Sequence, residues 1–218
     1  MNAAAKPNPA SLTPASIAWA ETFVPETEGA TDARAAASGM GVEPVSQGAA
    51  TTLTFLASLL RARAVVEVGT GTGVSGLALL AGMVPDGVLT SIDTEPEHQA
   101  AAREAFGKAG HPNRRARLIA GAALQVLPKL SDGAYDLVLI DGDPIEYVEC
   151  VEQALRLLRP GGLLVLHHAL AGGRVADRAN EDDEVVIIRE AASAIADSEE
   201  LSPVVLPVGD GLLVARRA

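Results

Sequence analysis

One cysteine in 218 residues, Cys150, excludes an internal disulfide, and no charged-then-apolar leader opens the chain, so a reducing, cytoplasmic setting is expected. Six aromatic residues (Trp19, Phe23, Phe55, Phe106, Tyr135, Tyr147) are too few for a base-stacking platform. Lysine and arginine number 17 against 28 acids, a formal net charge of −11, and the cations are scattered, which argues against a phosphate-backbone partner. No uninterrupted apolar run is long enough to span a bilayer. These shortages leave a small-molecule partner, with neither nucleic acid nor membrane.

Alanine, leucine and valine are plentiful, and 48% of the residues are hydrophobic, enough to bury a large core. The opening MNAAAKPNPASLTP is small, polar and punctuated by proline, so residues 1–15 read as a flexible tail before one domain over 16–218. Helical stretches are expected at 16–23 and 26–40. After the loop GVEPV comes an apolar helix over 46–60, with Ser46 as its candidate cap. Together these form a helical apron over 16–62. From residue 63 the pattern changes to a core of short apolar runs at 64–68, 88–93, 116–121, 135–141 and 163–168, with helices starting near Gly73, Glu95, Ala122 and Ile145. Strands buried on both faces and joined by helical crossovers predict an α/β fold with a doubly wound, mostly parallel sheet. The last two runs, SPVVLP and LLVARR, are separated only by VGDG, so the sheet should end in an antiparallel hairpin.

Ligands of such sheets bind beyond the carboxyl ends of the strands. The first run leads from Glu67 through Gly69, Thr70, Gly71 and Gly73 into a helix; the second ends in Asp93, and the fourth in Asp141-Gly142-Asp143. Gly71, Gly73 and Gly76 spell GxGxxG, which also fits a nicotinamide or flavin site. Glu67, two residues before the first glycine, would repel a diphosphate and welcome an ammonium group or a ribose hydroxyl. Neither Tyr135 nor Tyr147 has a lysine four residues on, no Lys-Ser/Thr follows the glycines, and GVSGL lacks the last glycine of a nucleophile elbow. A purely structural glycine turn explains the glycines but not three acids closing successive strands.

The segments VVEVGTGTGVSGLALL, VLTSIDTEPE, YDLVLIDGDP, LRPGGLLVLHHALAGGRVAD and LPVGDGLLVARR resemble the catechol and caffeoyl-CoA type O-methyltransferases, in order, from about residue 30 to the C-terminus. The resemblance implies a Rossmann-like, seven-stranded sheet with the last strand reversed, S-adenosylmethionine as cofactor, and commonly a homodimer. It also implies that Val45 lines the cofactor site and that Glu67 sits beside the sugar-methionine portion. Gly69 and Thr70, with Gly71 in the same turn, would pass their backbone along it, and Ser75 would meet the methionine carboxylate. Asp93 would hold the ribose hydroxyls, Ala123 would abut adenine, and Asp141 and Asp143 would lie near the sulfonium.

Two departures bear on mechanism. Where relatives carry a lysine after the strand-four acids this chain has Pro144, and where they carry Asp-Asn after strand five, completing a divalent-metal site, it has His167 and His168. Three readings follow: a softer-metal site with Asp141, a metal-free general base, or two structural strand-end residues. A divalent metal is thus left open. Asp141 and His167 are the candidates for arranging methyl transfer to an oxygen of a small, hydroxylated, aromatic compound. The alternatives are a donor-binding protein with a regulatory role and without catalysis, and an NAD-dependent reductase. His98 and His111 read as solvated surface residues, and 172–184 reads as an acidic helix start that forms part of a lid.

Overall fold

The Thr13 hydroxyl accepts the Ser16 amide at 3.1 Å and Pro14 occupies the first turn, so the first helix begins there, α1 (Pro14–Glu21), two residues inside the segment expected as tail. The computed structural model describes residues 13–218; the expectation of a tail over 1–12 lies outside them. Thr27 caps α2 (Glu28–Met40), which ends at the left-handed Gly41, and Ser46 caps α3 (Gln47–Leu59) as its position predicts.

The core follows as β1 (Ala64–Val68), α4 (Val74–Gly82), β2 (Val88–Asp93), α5 (Pro96–Lys108), β3 (Ala116–Ala120), a single turn α6 (Ala123–Val126), β4 (Tyr135–Ile140), α7 (Tyr147–Leu157), β5 (Leu158–Leu166), α8 (Asp183–Asp197), β6 (Leu201–Leu206) and β7 (Leu212–Arg217). The strands make one seven-stranded sheet in the order β3-β2-β1-β4-β5-β7-β6. β1 to β5 run parallel, and β7 is antiparallel to both of its neighbours, as the hairpin signal predicts.

Period-two alternation divides the apolar runs between the two faces. Val66, Val138, Ile140, Leu164 and Leu166 pack with α7 and α8, whereas Val65, Leu89, Leu137, Leu139 and Val165 pack with α3, α4 and α5. Both faces are covered, which is why the runs are continuous rather than alternating in sequence. No described helix is long and apolar enough to cross a membrane.

Two boundaries differ from expectation in ways that place chemistry. β5 starts five residues early, taking in Arg159-Pro-Gly-Gly162 across an irregularity opposite Tyr135 to Leu137. It also ends at Leu166, so that His167 and His168 lie past the strand, where the backbone is free to turn; His168 adopts a φ of 59°. Likewise β4 ends before Asp141, and a 3-10 turn over Pro144–Glu146 precedes α7, with Asp143 accepting the Ile145 amide at 3.1 Å.

Candidate active site

The turn after β1 brings backbone to the carboxyl edge of the sheet. Gly69 has a φ of 93°, and a Cβ there would stand 2.1 Å from the Asp141 carbonyl oxygen, so only glycine lets this turn pass the end of β4. Gly73, also at 93°, opens α4 against Phe106 and Ala102. Between this turn and the ends of β2 and β4 lies a cleft of about 330 Å³. Its lining includes Val45, Gly69, Thr70, Gly71, Ser75, Asp93, Ala123, Asp141 and Asp143, nine of the ten residues expected there.

The tenth, Glu67, is fully buried on β1 and does not line the cleft. Its Oε2 accepts the Ser91 hydroxyl at 2.5 Å, and Ser91 shares a further hydrogen bond of 2.7 Å with Thr70, while Oε1 has no hydrogen-bond partner among the described residues. Burial pushes this carboxyl up to about 8; the Ser91 and Ser75 hydroxyls oppose the shift, and Asp141 and Asp93 add to it.

Asp93 accepts the Gly71 amide at 2.9 Å on one oxygen and the Glu95 amide at 2.9 Å on the other, so its carboxylate braces the turn it faces. His98 comes within 3.5 Å of the Asp93 carboxylate and lines the cleft, and His111 is half-buried beside Arg115 at 3.2 Å. The reading of both as solvated is therefore corrected: α5 carries His98 one turn along from the end of β2, and a short connection tucks His111 under the guanidinium.

A second pocket, of about 860 Å³, adjoins the first. Val42, Glu43, Pro44, Asp141 and Gly142 line both, so the GVEPV loop and the end of β4 form the partition. His167, His168, Tyr147, Pro144, Glu184 and Asp210 complete much of its wall. Of the segment expected as a lid, 172–184, Glu184 alone lines this pocket; Arg174 is drawn instead into ion pairs with Glu184 at 2.6 Å and Asp182 at 3.4 Å.

His167 and Asp141 are brought together, Nδ1 to Oδ1, at 2.6 Å. Burial disfavours the charged ring, but the Asp141 hydrogen bond and charge, with Asp210 and Glu43, outweigh it and hold the imidazole above its ordinary value. His168 is turned away: its Nε2 meets Glu184 at 3.0 Å and its Nδ1 meets Asp210. Among the described residues no group of three or more His, Cys, Asp or Glu side chains is arranged to hold a metal ion. Asp141, His167 and His168 thus do not form the softer-metal site that was one reading of the sequence. A hard-oxygen magnesium site does not fit either, because imidazoles stand where its oxygen donors would be. Tyr147, Glu43, Glu184 and Asp210 are absent from the expected set. The GVEPV loop offered a signal for Glu43 and the segment expected as a lid one for Glu184, whereas Tyr147 and Asp210 enter through helix and hairpin packing.

The O-methyltransferase family model matches residues 25–218. The chain belongs to the O-methyltransferase family. A relative named as an O-methyltransferase in Mycobacterium sp. (strain JLS) is 52% identical over 201 residues, covering 92% of this chain and 91% of the relative. Among solved structures, the O-methyltransferase TomG from Streptomyces achromogenes, involved in tomaymycin synthesis and solved with SAM, superposes with a TM-score of 0.83 at 26% identity, covering 93% of this chain and 95% of TomG. Cofactor-bound Rv0187 from MTB gives 0.83 at 29% identity, over 95% and 98% of the two chains. This O-methyltransferase therefore superposes on solved structures over nearly its whole length.

Proposed function

We propose that this O-methyltransferase takes a methyl group from S-adenosylmethionine, bound in the smaller cleft, and transfers it to a hydroxyl oxygen of a small aromatic compound in the larger pocket. The observation that carries the reading is that Asp141 walls both cavities, so a donor and an acceptor would meet across one residue. The donor supplies an electrophilic methyl on a sulfonium cation, and the chain supplies proximity and a prepared oxygen.

The residues present suit that donor. Glu67, buried beneath the glycine turn, backs the donor site through Ser91 and Thr70 rather than facing it. Asp93 would take the ribose hydroxyls and Ala123 would abut adenine, while Ser75 and the backbone of Gly69, Thr70 and Gly71 would follow the methionine portion. Val45 would close the site from the partition loop, and Asp141 and Asp143 would flank the cationic end in an acidic cleft that tolerates it. Pro44, Pro144 and Tyr147 offer flat walls to an aromatic acceptor, with Asp141 and His167 at its hydroxyl. The exposed Trp19, Phe23, Phe55 and Leu59 on the apron support a homodimer, and the single buried thiol of Cys150 suits a reducing, cytoplasmic setting.

Titration calorimetry with S-adenosylmethionine, S-adenosylhomocysteine and NADH, followed by turnover on a catechol panel, tests this. Binding of the two adenosyl ligands and methylated product are expected. Binding of NADH alone would replace the reading with a reductase, and donor binding without turnover on any acceptor would favour a protein that binds the donor without catalysis.

A further inference from the structure

The acceptor pocket holds two adjacent histidines with opposite fates. His167, 8% exposed, has its Nδ1 2.6 Å from Asp141 Oδ1, and its backbone carbonyl accepts the Tyr147 hydroxyl at 3.3 Å from the buried start of α7. An ionised carboxylate only accepts hydrogen bonds, so the hydrogen of this pair belongs to Nδ1. The lone pair of the neutral ring then sits on Nε2, which has no hydrogen-bond partner among the described residues, on a ring that lines the pocket. His168 has its Nε2 hydrogen-bonded to Glu184 and its Nδ1 against the Asp210 carboxylate, and the two rings stand 6.4 Å apart, tilted by 50°.

We infer that His167 Nε2 takes the acceptor's hydroxyl proton without the help of a divalent cation, with Asp141 orienting the ring and His168 serving only to tie the end of β5 to α8 and the β6–β7 hairpin. The inference rests on the methyl-transfer reading above. In the proton step the acceptor O–H bond breaks, its electron pair stays on oxygen, and the proton forms the new N–H bond at Nε2. The resulting imidazolium is paired with Asp141, and it returns the proton to water when the site reopens. Hard cations seek several converging oxygen donors, and here Asp141 is already hydrogen-bonded to an imidazole, the second imidazole points elsewhere, and no three acid or imidazole side chains among the described residues are arranged around one point. Asp141, Asp210 and Glu43 together hold the His167 ring above its ordinary value against the opposing effect of burial, which makes it a stronger base than a free imidazole.

The test uses the full chain, histidine-labelled with ¹⁵N and loaded with S-adenosylhomocysteine. The His167 signals, assigned by their loss in His167→Gln, are expected to show the Nδ1–H tautomer, and Asp141→Asn is expected to move that ring's titration down by about one pH unit or more. If His167→Gln does not fold, the same assignment follows by elimination from His98→Gln, His111→Gln and His168→Gln. Manganese added to the same complex and followed by electron paramagnetic resonance is expected to show no stoichiometric site. An Nε2–H tautomer at His167, or one bound manganese per chain that Asp141→Asn abolishes, overturns the inference while leaving donor binding intact. Failure of S-adenosylhomocysteine to bind overturns the methyl-transfer reading on which it stands.

Discussion

Ser91 donates its hydroxyl to Glu67 at 2.5 Å across adjacent strands, yet the other oxygen of that fully buried carboxyl has no hydrogen-bond partner among the described residues. The group is raised from its ordinary 4.5 to about 8. Between those values the folded chain holds a proton that the unfolded chain has released, so this group's contribution to stability falls as pH climbs through the window and levels off above it. Thermal melts of the ligand-free protein across the window are expected to show this decline, and Glu67→Gln is expected to flatten it.

At the opposite end of the sheet a carboxylate behaves the other way. Asp136 accepts the Arg63 and Ala64 amides at 2.6 and 2.9 Å and the Arg159 guanidinium at 2.6 Å, tying the start of β1 to β4 and β5. Burial opposes its ionisation, but those amides and the guanidinium outweigh burial and hold it below its ordinary 3.8. Its stabilisation is therefore present above that value and lost as pH falls through the lowered one. Asp136→Asn is expected to cost about 1.5–3 kcal/mol in urea unfolding at neutral pH, as charged hydrogen-bond acceptors generally do, with little change in donor affinity.

Gly69→Ala is expected to destroy donor binding. The added methyl would meet the Asp141 carbonyl oxygen at 2.1 Å from a left-handed backbone, and both the turn and the end of β4 are fixed by strand hydrogen bonds. Strain of about 1–3 kcal/mol is expected in the melting curve, together with loss of the calorimetric signal for S-adenosylmethionine. Native affinity in this variant would show that the turn is not part of the donor site.

Asp93→Asn separates bracing from ligand recognition. The carboxylate holds the Gly71 amide, so the variant is expected to weaken S-adenosylhomocysteine binding about tenfold or more. Analogues lacking the ribose hydroxyls should bind the native protein weakly and lose in the variant only the share due to the brace, less than S-adenosylhomocysteine loses. An undiminished gap between the two ligands in Asp93→Asn would remove Asp93 from ribose recognition.

Much of this architecture was readable in one dimension because burial on both faces leaves continuous apolar runs, and because caps and turns depend on a few neighbouring residues. The helix starts at Ser46 and Gly73, the strands from Ala64 to Ile140 and the closing hairpin all rest on such local rules. The cleft lining was legible for the same reason, since acids and glycines at strand ends are brought to one edge by any parallel sheet.

Side-chain direction was not legible. His167 and His168 are chemically identical neighbours, and nothing local says that the first meets Asp141 while the second, at a φ of 59°, meets Glu184 and Asp210 from α8 and the hairpin. Glu67 likewise reads as a cleft acid, until Ser91 in register on β2 draws its carboxyl beneath the floor. Sheet order and strand ends follow from periodicity and short-range sterics. Which ring nitrogen stays unpaired, and which carboxyl loses its water, follow from residues far apart in the chain that only packing brings within hydrogen-bond range.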